Sequence, residues 1–129
     1  MTRLTEAQRE QLEALRQLYR MELPGKLGLI GDAVDALHGG WEKAHLEALY
    51  DLIHKLTGSA AIYGFGEISR AAGDLESWAL QALDGGLPAA RRLELTALMS
   101  ALQEAFSASE TLGPGGPGRV RRRGSRASR

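Results

Sequence analysis

The sequence contains no cysteine, few aromatic residues and no long apolar run. Without cysteine the chain can form neither a disulfide bond nor a thiolate metal site, which is compatible with a reducing compartment. No apolar segment approaches the roughly 20 residues that span a bilayer. The opening segment, MTRLTEAQREQLEALRQLYR, is charged and helical in pattern, unlike a secretory signal peptide. These absences predict a cytoplasmic protein without a membrane partner.

The formal net charge of zero conceals two oppositely charged regions. Residues 1–112 hold all 16 acidic residues and 10 of the 16 lysines and arginines, a charge of −6, whereas residues 113–129 hold 6 arginines and no acid. The second region, GPGGPGRVRRRGSRASR, has Val120 as its only sizeable apolar residue and cannot bury enough surface to offset the entropy of ordering. We therefore predict a folded domain over 1–112 and a disordered basic tail over 113–129, which could bind an anionic partner nonspecifically.

Four segments repeat apolar residues at spacings of three and four, which indicates amphipathic helices. The first stripe includes Leu12 and Leu15 and ends at Leu37; Pro24 interrupts its hydrogen bonding but not its phase, which predicts one kinked helix or two collinear ones. The other helices are expected from about Trp41 to Tyr63, Gly66 to Leu83 and Pro88 to Ser107. This pattern predicts an all-α, antiparallel up-and-down four-helix bundle with an N-terminal helical extension.

His54 lies on the second predicted helix, about 120° from the centre of its apolar face, and is therefore expected to be exposed. Gly58 follows one turn later, although glycine inside a helix costs about 1 kcal/mol relative to alanine. Because helical side chains lean toward the N-terminus, this glycine leaves the surface beside the imidazole bare. We interpret Gly58 as clearing space for the backbone of another protein. A neutral imidazole with free approach can act as a nucleophile.

The sequence shows no second catalytic group for His54. It contains no glycine-rich phosphate loop of the G-x-x-x-x-G-K type, and no histidine, acid or serine at a recognisable catalytic spacing from His54. His45 lies about 180° around the helix and is expected to be packed or partly buried, and His38 is expected at a helix terminus. The three histidines are not at metal-ligand spacing. His54 would therefore receive its chemistry from a partner.

The run His54 to Ala60, HKLTGSA, followed by Gly64, Ile68 and the pair Leu75-Glu76, resembles the histidine-containing phosphotransfer (HPt) domains of bacterial two-component phosphorelays. The helix pattern agrees over about residues 9–107. The resemblance implies a carrier whose histidine accepts a phosphoryl group from the aspartyl phosphate of a receiver domain and passes it to another receiver. We expect this carrier to be a monomer. The receiver would belong to a response regulator or a hybrid histidine kinase. The resemblance also implies a Mg²⁺ ion held by the receiver. Since the sequence has no phosphate loop, we expect no nucleotide-dependent kinase activity, and we expect no bound cofactor.

On this resemblance His54 is the phosphorylated residue. Many family members carry lysine three residues after the histidine, where this chain has Thr57. A threonine could donate a hydrogen bond to a phosphoryl oxygen but supplies no charge, and Lys55 points about 100° away around the helix. The residues expected to contact the receiver around the histidine are Tyr50, Asp51, Lys55, Thr57, Gly58 and Ala61.

Two other functions fit the same sequence. The bundle could be a helical adaptor that binds a signalling partner without being phosphorylated, His54 being incidental. It could also serve only to carry the basic tail to an anionic partner. The initial Met1 suggests a stand-alone protein. Phosphate on this chain that is labile in acid and stable in base would favour the carrier.

Overall fold

The computed structural model describes residues 4–85 and 89–112. It contains α1 (Glu6–Gly39), α2 (Lys43–Ile62), α3 (Gly66–Gly85), the short α4 (Ala89–Arg92) and α5 (Glu94–Leu112). No strand occurs within the described ranges. Helix α2 packs against α1 and α3, and α3 packs against α5. The four long helices confirm the predicted all-α bundle, whereas the prediction for the tail, 113–129, lies outside the described residues.

Helix α1 is continuous through Pro24, so the chain forms one helix here and not two collinear ones. A reciprocal pair of hydrogen bonds caps its start: the Gln8 amide donates to the Thr5 hydroxyl (3.0 Å), and the Thr5 amide donates to the Gln8 side chain (2.8 Å). Such a capping box satisfies two amides that the first helical turn leaves without partners. The helix ends at Gly39, and Gly40, which follows it, has an extended backbone.

The prediction that the buried stripe of α1 begins at Leu12 is wrong. Leu12 and Leu15 are 42% and 48% exposed, and among the described residues no side chain before Tyr19 is buried. The reason is that α1 is longer than α2. The connection that follows α2 already contacts α1 at Arg16, so α2 does not reach the turns of α1 before that residue. The first turns of α1 therefore extend beyond the helix they would pack against, as the predicted N-terminal extension does.

The core is built from the stripes of all four long helices. In α2 and α3 every residue of the predicted apolar faces is buried: Leu46, Leu49, Ile53, Leu56, Ala60, Ile68, Ala71, Ala72, Leu75, Trp78, Ala79 and Ala82. Helix α5 adds Leu95, Met99, Leu102 and Phe106 to this core. The hairpin of α2 and α3 is thus held on both sides, by α1 and by α5.

The predicted fourth helix is divided in two. Leu93 separates α4 from α5 and is 78% exposed. The carbonyl of Arg91 accepts a hydrogen bond from the indole of Trp78 (3.1 Å), so its partner lies on α3 rather than in the next helical turn. Pro88, the expected start of this helix, lies outside the described residues.

A three-residue connection, Tyr63-Gly64-Phe65, joins α2 to α3. Gly64 has φ +85°, a conformation that residues with a side chain rarely adopt. The Phe65 amide donates to the Ala60 carbonyl (2.8 Å), and the Arg16 guanidinium of α1 donates to the Tyr63 carbonyl (2.6 Å). The connection therefore reverses the chain tightly and sets α2 and α3 antiparallel.

Candidate functional site

His54 lies in the middle of α2 with 64% of its side chain exposed. The preceding residue, Ile53, and Leu56 on the same helix are buried, so they fix which side of α2 faces the core. His54 consequently points to solvent, as its angular position predicted. The other two histidines also match their predictions: His45 is half-buried with Nδ1 2.8 Å from the Gly40 carbonyl oxygen, and His38 is exposed in the last turn of α1.

Helix α3 supplies a carboxylate to this imidazole. The Nδ1 atom of His54 lies 2.6 Å from Oε2 of Glu76, whose side chain is only 20% exposed. An ionised carboxylate can only accept hydrogen bonds, so this contact assigns the ring proton to Nδ1 and makes it the donor. The lone pair of the neutral ring is then on Nε2.

Spacing along the chain does not predict Glu76 as a partner of His54. The two residues are 22 positions apart and meet only through the antiparallel packing of α2 on α3. A signal was present in the pair Leu75-Glu76, which formed part of the resemblance. With Leu75 buried, the next residue turns toward the flank of α3 that faces His54.

An aromatic ring lies against the other side of the histidine. Tyr50, one turn earlier on α2, stacks on His54 with ring centroids 5.6 Å apart and planes inclined by 14°. Tyr50 is half-buried and packs against the core. The imidazole is therefore held at its Nδ1 edge by Glu76 and on one face by Tyr50, while most of its surface remains open to solvent.

Gly58 leaves open space one turn after His54. A Cβ atom built at this position would meet no atom within 4 Å outside its own helix backbone, so packing inside the chain does not require glycine here. Asp51, Lys55 and Ala61, also predicted to contact a partner, are exposed on the same helix. The geometry is that of an accessible imidazole that two neighbouring side chains hold on a packed helix.

In a comparison with known protein families, residues 3–105 match the Hpt domain. The chain belongs to the Hpt-domain family. Neither the curated proteins nor the solved structures gave a match. Hpt domains are phosphotransfer carriers of two-component signalling whose partners are receiver domains, and this membership confirms the resemblance noted in the sequence.

At Thr57 the structure of this Hpt domain revises an expectation. The Thr57 hydroxyl donates to the Ile53 carbonyl (2.9 Å) within α2, so its proton is already engaged in the helix. Its methyl group faces Gly73 of α3, where a built Cβ would lie 3.9 Å from it, and its carbonyl accepts from the Ser69 hydroxyl (2.9 Å). Thr57 therefore helps α2 and α3 approach each other, and donation to a phosphoryl oxygen would cost it the bond to Ile53.

In the described part of this Hpt domain no three metal-ligating side chains are grouped so that they could hold an ion. Its described helices likewise include none with the length and apolar character needed to cross a membrane.

Proposed function

We propose that this Hpt domain carries phosphoryl groups on His54 between receiver domains. The observation that carries the proposal is the 2.6 Å contact between His54 Nδ1 and Glu76 Oε2 on an otherwise exposed ring. This contact supports an orientation of the ring in which the Nε2 lone pair faces an incoming partner. Phosphoryl transfer depends mainly on alignment and charge stabilisation, and a rigid bundle with one oriented nucleophile suits both.

In the proposed step, Nε2 of His54 attacks the phosphorus of a receiver's aspartyl phosphate. The bond from phosphorus to the aspartate oxygen breaks, and its electron pair leaves with the carboxylate. The ring keeps its Nδ1 proton and becomes positively charged, and the Glu76 carboxylate stabilises that charge through the hydrogen bond they share. Onward transfer reverses the chemistry: the carboxylate of a second receiver attacks phosphorus, and the electron pair of the N–P bond returns to Nε2.

The other parts of the proposal follow from this role. The domain acts as a monomer in the cytoplasm without nucleotide-dependent kinase activity of its own, and the Mg²⁺ ion belongs to the receiver. The receiver docks over the α2 surface around His54, which carries these residues: Tyr50, Asp51, Lys55, Thr57, Gly58 and Ala61.

The test is phosphoryl acceptance by paired histidine variants. Incubation with a phosphorylated receiver should place acid-labile, base-stable phosphate on the wild-type chain. His54→Gln should abolish this labelling while leaving helicity and melting temperature nearly unchanged, because the side chain is mostly exposed.

His45→Gln is the matched control, since it changes a second histidine of the same helix that faces the Gly40 carbonyl. It should leave labelling intact. Phosphohistidine in the His54→Gln protein would show that another residue is the acceptor. Binding of the receiver without any labelling of the wild type would favour the adaptor.

A further inference from the structure

We infer that Tyr50 is a positioning residue for His54, which fixes the plane of the imidazole and stabilises the positive charge that the ring acquires. The inference deepens the proposed function and rests on it wherever phosphoryl transfer is concerned. It assigns Tyr50 a role within the chain, in addition to the receiver contact expected from the sequence.

The argument begins with what holds the ring. A hydrogen bond from Nδ1 to Glu76 fixes one edge of the imidazole, but the ring can still tilt about that contact. The stacked phenol ring, inclined by only 14°, restricts this tilt. Since the His54 side chain is 64% exposed, few other atoms can restrain it. Tyr50 is itself half-buried against the core and can serve as a firm platform.

The position of Tyr50 on the helix favours this contact. Residues four apart are neighbours on a helix surface, and helical side chains lean toward the N-terminus. The imidazole of His54 is thereby directed over the residue one turn before it, which is Tyr50. The stack is therefore built into α2 and does not depend on the arrival of a partner.

The charge of the ring supplies the second part of the argument. When Nε2 bonds to phosphorus while Nδ1 keeps its proton, the imidazole becomes a cation. The face of an aromatic ring attracts a cation whose distance from its centroid is below about 6 Å, and the centroids here are 5.6 Å apart. At an exposed site this attraction corresponds to a factor of about two to five in an equilibrium or a rate. Tyr50 should favour the phosphorylated ring by that factor.

A small phosphoryl donor separates positioning from docking. Phosphoramidate can phosphorylate an imidazole without any protein contact, so a residue that only contacts the receiver should not affect it. We expect Tyr50→Leu to slow labelling of His54 by phosphoramidate about two- to fivefold and to shorten the half-life of the phosphohistidine by a similar factor. Tyr50→Phe keeps the aromatic ring and should leave the labelling rate and the half-life at their wild-type values.

Tyr63→Leu is the matched control. Tyr63 is also half-buried beside α2 and stacks on another ring, that of Tyr19, at 4.6 Å. The substitution removes comparable packing away from His54. It should lower the melting temperature but leave labelling by phosphoramidate unchanged in the folded protein. Slower labelling in both variants would mean that the effect of Tyr50 is one of general stability, and would overturn the inference.

Nitrogen-15 NMR of the imidazole gives a readout that does not depend on transfer. The wild type should show the proton on Nδ1, and Tyr50→Leu should shift the population toward the Nε2-protonated tautomer because the bond to Glu76 is less well held. Unchanged nitrogen signals together with unchanged phosphoramidate labelling in Tyr50→Leu would overturn the inference. If no receiver labels the wild type but the NMR shift occurs, the proposed function fails and the positioning role stands.

Discussion

The imidazole of His54 is exposed, yet Glu76 and Tyr50 both restrain it. An exposed side chain normally samples several rotamers, and a reaction that requires one of them carries the entropic cost of selecting it. Here part of that cost is met when the protein folds, because the restraining groups belong to packed helices. On the proposed function, His54 thus combines free access with a defined direction of attack.

Gly58 gives a prediction that separates stability from access. Gly58→Ala should leave the free energy of unfolding equal or higher by up to about 1 kcal/mol, because alanine favours the helix and its Cβ would meet no atom within 4 Å. Gly58→Arg should keep the fold but obstruct the receiver. Urea unfolding and receiver-dependent labelling measure the two effects, and a normal transfer rate in Gly58→Arg would contradict the access role.

Thr57 gives a prediction about charge. Thr57→Lys removes the hydroxyl bond to Ile53 and places a long cationic side chain on the half-buried surface beside Gly73. Its stem can lie along that surface while the ammonium reaches the phosphoryl oxygens. A partly exposed charge pair is typically worth less than about 1 kcal/mol, so we expect a half-life of phosphohistidine longer by a factor of a few.

Onward transfer from Thr57→Lys should gain little or fall, because the same attraction stabilises the phosphorylated state more than the transition state. The half-lives of the two phosphorylated proteins, measured side by side, decide the matter. Equal values would mean that position 57 does not sense the phosphoryl group and that Lys55 or the partner supplies the charge.

The sequence was sufficient for the parts of the site that lie on one helix. His54, Tyr50 and Gly58 are related by the fixed geometry of α2, so their exposure and proximity could be predicted from spacing alone. Glu76 could not, because its contact depends on the register between two helices. In the structure that register goes with the tight reversal at Gly64 and with the close approach of Thr57 to Gly73.

At the scale of elements, periodicity predicted α2 and α3 closely because the apolar face of each helix packs against helices that are near it along the chain. Periodicity was wrong at two places where the structure depends on residues that are far away in the sequence. Leu12 and Leu15 continue an apolar stripe, but no helix in the described part of the chain covers them. Leu93 also lies within a helical pattern, but the helix divides there. Just before this break, the Arg91 carbonyl accepts a hydrogen bond from the indole of Trp78.

Two glycines offer a contrast between helix and turn. Gly25 is exposed within α1, and a Cβ there would meet nothing within 4 Å, so Gly25→Ala should raise the free energy of unfolding by up to about 1 kcal/mol. Gly64→Ala should lower it by about 1 to 2 kcal/mol, because φ is +85° and the new atom would lie 3.4 Å from Arg16.

Chemical denaturation of both variants beside the wild type tests this contrast, with the slope of the transition confirming that the same unfolding reaction is compared. Equal stabilities for Gly25→Ala and Gly64→Ala would show that the backbone conformation at the α2–α3 reversal carries no cost.

At the scale of the whole molecule, charge is divided along the chain. Residues 1–112 carry a formal charge of −6, and residues 113–129 carry six arginines without an acid. Contacts between arginines and an anionic surface release counterions, and such binding weakens steeply as salt increases. The same contacts carry little information about sequence or shape.

We therefore expect the full chain to bind an anionic polymer such as heparin at low salt and to be released at moderate salt. A chain ending at residue 112 should not bind, because its net charge is negative. Phosphoryl acceptance by the shortened chain serves as the control and should be unaffected. Identical elution of both chains from heparin would exclude the tail as the binding element.

The packing of α2 against α3 also has a kinetic consequence. His54 and Glu76 are only 22 residues apart, and the chain between them is mostly helix closed by a three-residue reversal. The entropy lost in closing so short a segment is small, and proteins rich in such local contacts fold in microseconds to milliseconds. During synthesis, this hairpin is complete before α5 has been made, so the contact that orients the imidazole can be sampled before the last helix closes the core.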